Sequence, residues 1–181
     1  MSGLHELTYW GLLFAVFARQ LCLPIPAPLF LMTAGALAAH GRLHLSLVLL
    51  VSVLGCLAGD GVWFWCGRRW GHRVTKLVCR LTSDPAGSSL RARKLFERWG
   101  FGLIVAAKFV PGLDGVTPPL AAAEGTSVKQ FMLADALGAL LWSLFYTVLG
   151  YLFADELQRA AHLARGFGSI LLVVLGVPLF V

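Results

Sequence analysis

The sequence predicts an all-α integral membrane protein, with long transmembrane helices and two opposed re-entrant helical hairpins in an inverted repeat. Three observations predict it. The 181 residues are 58% hydrophobic and only 13% charged, with a mean hydropathy of +0.78; a soluble domain carries roughly 25% charged residues. Two apolar runs, Leu43–Cys66 and Ser127–Phe153, exceed the ~20 residues that cross a bilayer. Two further apolar stretches are broken by proline, glycine and charge. Broken helix at membrane depth is tolerated only where protein or a wet cavity surrounds it.

Met1–Glu6 is a polar start without the features of a signal peptide. Thr8–Leu23 is apolar apart from Arg19 and Gln20. As a helix it rises about 24 Å, which is short for a span. Pro24-Ile25-Pro26-Ala27-Pro28 cannot continue a helix, because each proline removes a donor and crowds the residue before it. Leu29–Ala39 is apolar again, and His40-Gly41-Arg42 is a polar turn. A first hairpin at about 23–42 follows, dipping into the membrane and returning. Leu43–Cys66 is then a transmembrane helix holding one acid, Asp60.

Residues 67–100 form a basic loop, holding nine of the fifteen Lys and Arg residues. Between apolar segments such a cluster marks the cytoplasmic side, not a nucleic-acid partner. Within it, Ser89–Trp99 has the pattern of an amphipathic helix, lying on an anionic leaflet or simply solvated. The second hairpin spans about 101–125, where Lys108 and Asp114 sit among Pro111, Gly112, Gly115, Pro118 and Pro119. Ser127–Phe153 is the second long helix, containing Asp135, Gly138 and Trp142. Ala154–Gly168 is a polar link, and a last span starts at residue 169 and is cut short at Val181. The whole of 1–181 reads as one membrane domain, with both termini expected in the cytoplasm and more chain expected after Val181.

The long helices match internally. Gly59, Trp63 and Gly71 have the spacing of Gly138, Trp142 and Gly150, and a proline-broken segment precedes each helix. Transporters are often built from such repeats, with broken helices forming a midplane site. With the basic loop cytoplasmic, the hairpins open to opposite faces and meet near mid-membrane.

Lys108 is the best anion ligand, since a buried ammonium needs a partner and phosphate suits it. The alternative is a structural ion pair with Asp114, Asp135 or Asp60. Gly112 and Gly115 either bring backbone N–H groups to an anion or relieve a tight turn. Asp60 and Asp135 are candidate proton carriers or helix-packing acids. Asp114 neutralises Lys108. Arg19 either snorkels to an interface or supplies a second cation. Trp63 and Trp142 read as packing residues or interface anchors. Cys22, Cys56, Cys66 and Cys79 have no metal or disulfide spacing. No GxSxG, HExxH, Walker or GxGxxG motif occurs, so neither an enzyme nor a cofactor is expected.

Several motifs together resemble the DedA (VTT-domain) membrane proteins. They are the PIPAP turn from Pro24 to Pro28, Ala34-Gly35, Ala58-Gly59-Asp60 and GRRWG at Gly67–Gly71. To these add KFVPGLD at Lys108–Asp114 and F-x3-D-x2-G-x3-W from Phe131 to Trp142. The likeness covers about residues 8–155. It implies helices with two opposed re-entrant hairpins in the bacterial inner membrane. It also implies transport of an anionic lipid, chiefly undecaprenyl phosphate or phospholipid, with proton coupling proposed.

Asp60 keeps the family's acid, and Lys108 stands where Arg is usual. Asp114 reverses a basic position, Pro28 falls near a missing acid, and Asp135 replaces an Asn. KFVPGLD with PPLA resembles a subgroup followed by a rhodanese domain. The expected partners are membrane lipids and an anionic lipid or oxyanion substrate, with a homo-oligomer left open. The alternatives are a membrane anchor or scaffold for a cytoplasmic partner domain, and a small-oxyanion carrier.

Overall fold

The computed structural model describes residues 2–71, 73, 74, 77, 94–110, 112–156 and 159. The expected last span, most of the basic loop and residues 89–93 of its amphipathic helix lie outside them; residues 94–99 are helical. The helices are α1 Ser2–Gln20, α2 Ala27–Ala39, α3 Leu45–Trp70, α4 Phe101–Ala107, α5 Thr117–Ala123 and α6 Val128–Leu152. No strand occurs among the described residues.

Sequence sets the helix ends. α1, α2 and α5 each stop in a Schellman motif, whose paired hydrogen bonds satisfy the last carbonyls. The Leu23 N–H donates to the Ala18 carbonyl (3.2 Å), the Arg42 N–H to Leu37 (2.9 Å) and the Thr126 N–H to Ala121 (3.0 Å). Gly41 and Gly125 supply the left-handed residue in two of them; in α1 it is Cys22, at φ 65°. The prolines do not only break helices. Pro28 and Pro118 lie in the first turns of α2 and α5, where a missing N–H is harmless. Ser127 caps α6: its Oγ accepts from the Gln130 N–H (3.2 Å) and donates to Gln130 Oε1 (3.1 Å). Ser127→Ala is expected to lower stability by about 1 kcal/mol, and Ser127→Gly by only a few tenths, in detergent unfolding curves.

α1 runs parallel to α3. The Tyr9 hydroxyl accepts from the His44 N–H (2.8 Å) at the start of α3. Gly55 lies against Leu13 and Val16, and Gly59 against Phe17 and Gln20. α6 runs antiparallel to α3, with Phe64 stacked on Phe131 at 4.2 Å and Cys56 sharing a core cluster with Ala139 and Trp142. α2 packs chiefly on α6, and α5 on α3. Gly35 and Gly150 permit the first contact. A side chain at Gly35 would strike the Thr147 carbonyl, and one at Gly150 the Met32 carbonyl.

Two helical hairpins result. The first is α1, a bend at 21–26 and α2; it enters and leaves at the start of α3. The second is α4, a bend at 108–116 and α5; Pro119 packs on Gly67 near the end of α3. They approach from opposite ends of α3, and their bends meet beside Asp60. α4, its bend and α5 together span residues 101–123. The expected first hairpin, 23–42, holds only the bend and the returning arm, because the proline run starts α2 and α1 is the other arm. Because α1 and α3 run parallel, α1 starts near His44, at the beginning of α3.

The helix faces are arranged inside out relative to a water-soluble bundle. Phe14, Leu50, Leu54, Leu133, Phe145 and Leu152 are exposed, while Asp60, Lys108 and Asp135 are buried. α3 and α6 are both long and apolar enough to cross a bilayer.

Candidate functional site

The two bends deliver polar groups into the seam between α3 and α6. Asp60, within α3 between Gly59 and Gly61, is wholly buried, and Asp135 on α6 is 1% exposed. Lys108 ends α4, so its side chain projects from the bend into this seam. Its Nζ pairs with Asp60 Oδ2 and, at 2.8 Å, with Asp135 Oδ1. Gly138 gives α4 room, with Val105 and Lys108 packed against it.

The end of α1, just before the first bend, contributes Gln20 and Arg19. Gln20 Nε2 donates to Asp60 Oδ2 (2.7 Å), and Gln20 Oε1 accepts from Arg19 Nη1 (2.8 Å). Arg19 Nη2 pairs with Asp114 Oδ2 of the second bend at 2.9 Å. The Gly115 N–H donates to Asp114 Oδ1 (2.9 Å). One chain of contacts thus runs Asp114, Arg19, Gln20, Asp60, Lys108, Asp135. It ties both bends to both long helices.

All five charged candidates from the sequence meet here. Gly115 takes part through its N–H, but to its neighbour Asp114. Gly112, at φ 85°, serves the turn. Asp114 pairs with Arg19 instead of the expected Lys108, and the Arg19 guanidinium lies against Asp114, Gln20 and Trp142. Gln20 was missed; its signal is a polar residue beside Arg19 at the end of an apolar run. The matched tryptophans both hold the end of α1. Trp63 Nε1 donates to the Gln20 carbonyl (2.9 Å), and Trp142 lies under the Arg19 guanidinium at 4.9 Å. Gly59 and Gly138 also correspond, each facing the helix before its own bend. Gly71 and Gly150 do not: one ends α3 at φ 58°, the other lies within α6 against α2.

The Lys108, Asp60 and Asp135 end of the cluster is buried, and the Arg19–Asp114 end is partly exposed. A cavity of about 10 Å³ adjoins Lys108, Asp114, Thr117 and Asp135, room for roughly one water. Asp60 Oδ1 and Asp135 Oδ2 have no hydrogen-bond partner among the described residues. Such orphaned buried oxygens need a water, a proton or a ligand. A wider groove of about 300 Å³, lined by Trp63, Cys66, Trp70, Arg73, Val74 and Leu77, opens near the end of α3. Among the described residues no group of three or more His, Cys, Asp or Glu side chains could hold a metal.

Apolar outer faces and two bilayer-length helices around a buried ion cluster are the features of a membrane protein with a polar centre. The chain belongs to the VTT-domain (DedA) family, whose match covers residues 25–152. It is 34% identical over 147 residues to the inner membrane protein YohD of Escherichia coli K12, covering 78% of this chain and 74% of that protein. It is 23% identical over 183 residues to an alkaline phosphatase-like protein of Lactococcus lactis subsp. lactis IL1403, covering 96% and 84%. Against the Protein DedA of Escherichia coli K12 it is 28% identical over 137 residues, covering 71% and 59%. No solved structure matches. The family match begins after α1, so Arg19 and Gln20 lie outside it.

Proposed function

We propose that this protein is a transporter of the bacterial inner membrane. It moves an anionic lipid, such as undecaprenyl phosphate or a phospholipid, across the bilayer, with proton coupling. The observation that carries the reading is a buried Lys108 held by acids on both long helices where two opposed hairpins meet. In this reading the hairpins are re-entrant, and the two halves form an inverted repeat whose relative motion exposes Lys108 to one face and then the other. The basic loop faces the cytoplasm. Membrane lipids are the partners, and no catalytic step or cofactor is involved.

Charge balance supports the coupling. Asp60, Asp114 and Asp135 against Arg19 and Lys108 give −3 + 2 = −1 when all are ionised. A buried centre is most stable near neutrality, so an excess negative charge suits a proton as the coupled ion. A phosphate headgroup that captures Lys108 parts it from both Asp60 and Asp135. Reconstituted protein is expected to move a fluorescent short-chain phospholipid between leaflets, faster with a proton gradient than without. The same vesicles test the oxyanion alternative: uptake of labelled free phosphate without lipid movement would replace the lipid reading.

A second reading has one observation in its favour. The closed pairing of Lys108, with room for only one water beside it, suits a membrane anchor or scaffold with internally paired charges. Absence of any lipid or phosphate movement by folded protein would favour it.

A further inference from the structure

Asp114 is an unexpected occupant of its position. Its carboxylate is gripped from two sides, by Arg19 Nη2 and by the Gly115 N–H, each at 2.9 Å. A guanidinium with an adjacent backbone N–H is a ready seat for an oxyanion. Arg19 does not depend on Asp114 for its own position. Gln20 Oε1 fixes Nη1 at 2.8 Å, and the Trp142 ring lies 4.9 Å below the guanidinium. The cation would stay in place if the carboxylate left, so the seat is pre-organised.

Asp114 belongs to the bend at 108–116, whose Gly112 has open space around its Cα. The Arg19 and Asp114 side chains are 21% and 18% exposed, whereas that of Lys108 is 3% exposed. An anion coming from outside therefore meets Arg19 first. Behind Asp114 lies the cavity that also touches Lys108 and Asp135.

We infer that Asp114 is a built-in competitor, its carboxylate filling an anion seat on Arg19 that a phosphate group takes when the second bend moves. This deepens the transport reading and borrows from it only the class of cargo. Filling the seat internally keeps Arg19 neutralised while the protein is empty. Displacement by phosphate leaves the charge on Arg19 balanced and uncovers the path to Lys108. Free phosphate and a phosphorylated lipid headgroup share this chemistry.

The test is calorimetric titration of purified protein in detergent with two probes, inorganic phosphate and a short-chain phosphatidic acid. Asp114→Asn keeps the shape and removes the charge. It is expected to bind at least one probe about tenfold tighter than wild type, on the order of one charge-assisted contact freed from competition. Adding Arg19→Gln is expected to abolish the gain. Asp114→Ser, with unfolding temperatures for each variant, covers a failure of the Asn variant to fold. A gain for phosphate alone identifies a free anion as the ligand, and a gain only for the lipid identifies a headgroup. No gain for either probe, or a gain that survives without Arg19, overturns the inference. Binding gains in a protein that moves nothing across vesicles would instead overturn the transport reading and leave this one standing.

Discussion

Lys108→Ala is expected to be among the most damaging single substitutions in the chain. Removing one partner of a buried ion pair costs about 3–5 kcal/mol, because the remaining charge is left uncompensated. Here one ammonium serves two acids. Without it Asp60 keeps a hydrogen bond from Gln20 and Asp135 loses its ion pair, while one oxygen of each already has no partner among the described residues. Unfolding of the purified protein in detergent measures the loss. Transport should vanish with it. Lys108→Arg retains the charge but brings a larger, planar group into a space with room for only one extra water, so it is expected to be milder than alanine yet still destabilising.

Gly150→Ala is expected to be nearly as harmful, for a reason unconnected with charge. The new Cβ would collide with the backbone carbonyl of Met32, and backbone cannot rotate away as a flexible side chain can. α2 would have to lift off α6, the helix that carries most of its packing. Overpacking of this kind costs about 1–3 kcal/mol or more. Gly11→Ala is the control. A Cβ at Gly11 meets nothing within 4 Å, and the residue lies inside α1. That change is expected to raise stability by roughly 0.5–1 kcal/mol through helix propensity. Opposite signs for the two glycines in the same unfolding assay would confirm close helix approach as the cause.

These cases also show which parts of the fold a single sequence reveals. The long helices and the breaks were legible because charge and proline interrupt apolar runs, and a membrane tolerates neither without a reason. Lys108, Asp60 and Asp135 stood out on the same ground. The arms of the first hairpin were not legible. A proline can end one helix or begin the next, and the choice at Pro28 depends on α2 packing against α6. The direction of α1 rests on Tyr9 meeting His44, a contact between residues 35 apart that no local pattern encodes. The partner of Arg19 is remote as well: Asp114 comes from the opposing bend. Gln20 looked like the polar end of a short span, and only the fold turns it toward Asp60. The repeat of Gly and Trp was visible, but its shared purpose was not, since both Trp63 and Trp142 act on the end of α1.

The central claim is that the Lys108 cluster works in transport and does more than hold the helices together. Asp60→Asn and Asp135→Asn combined with Lys108→Met test it directly, because both acids leave with the cation they share and no unpaired charge is left among the three. The combined variant should fold, shown by a sharp size-exclusion peak and an unfolding temperature near wild type. In proteoliposomes with a fluorescent short-chain phospholipid, wild type should move lipid between leaflets and the combined variant should not. A folded combined variant that moves lipid at the wild-type rate would contradict the account.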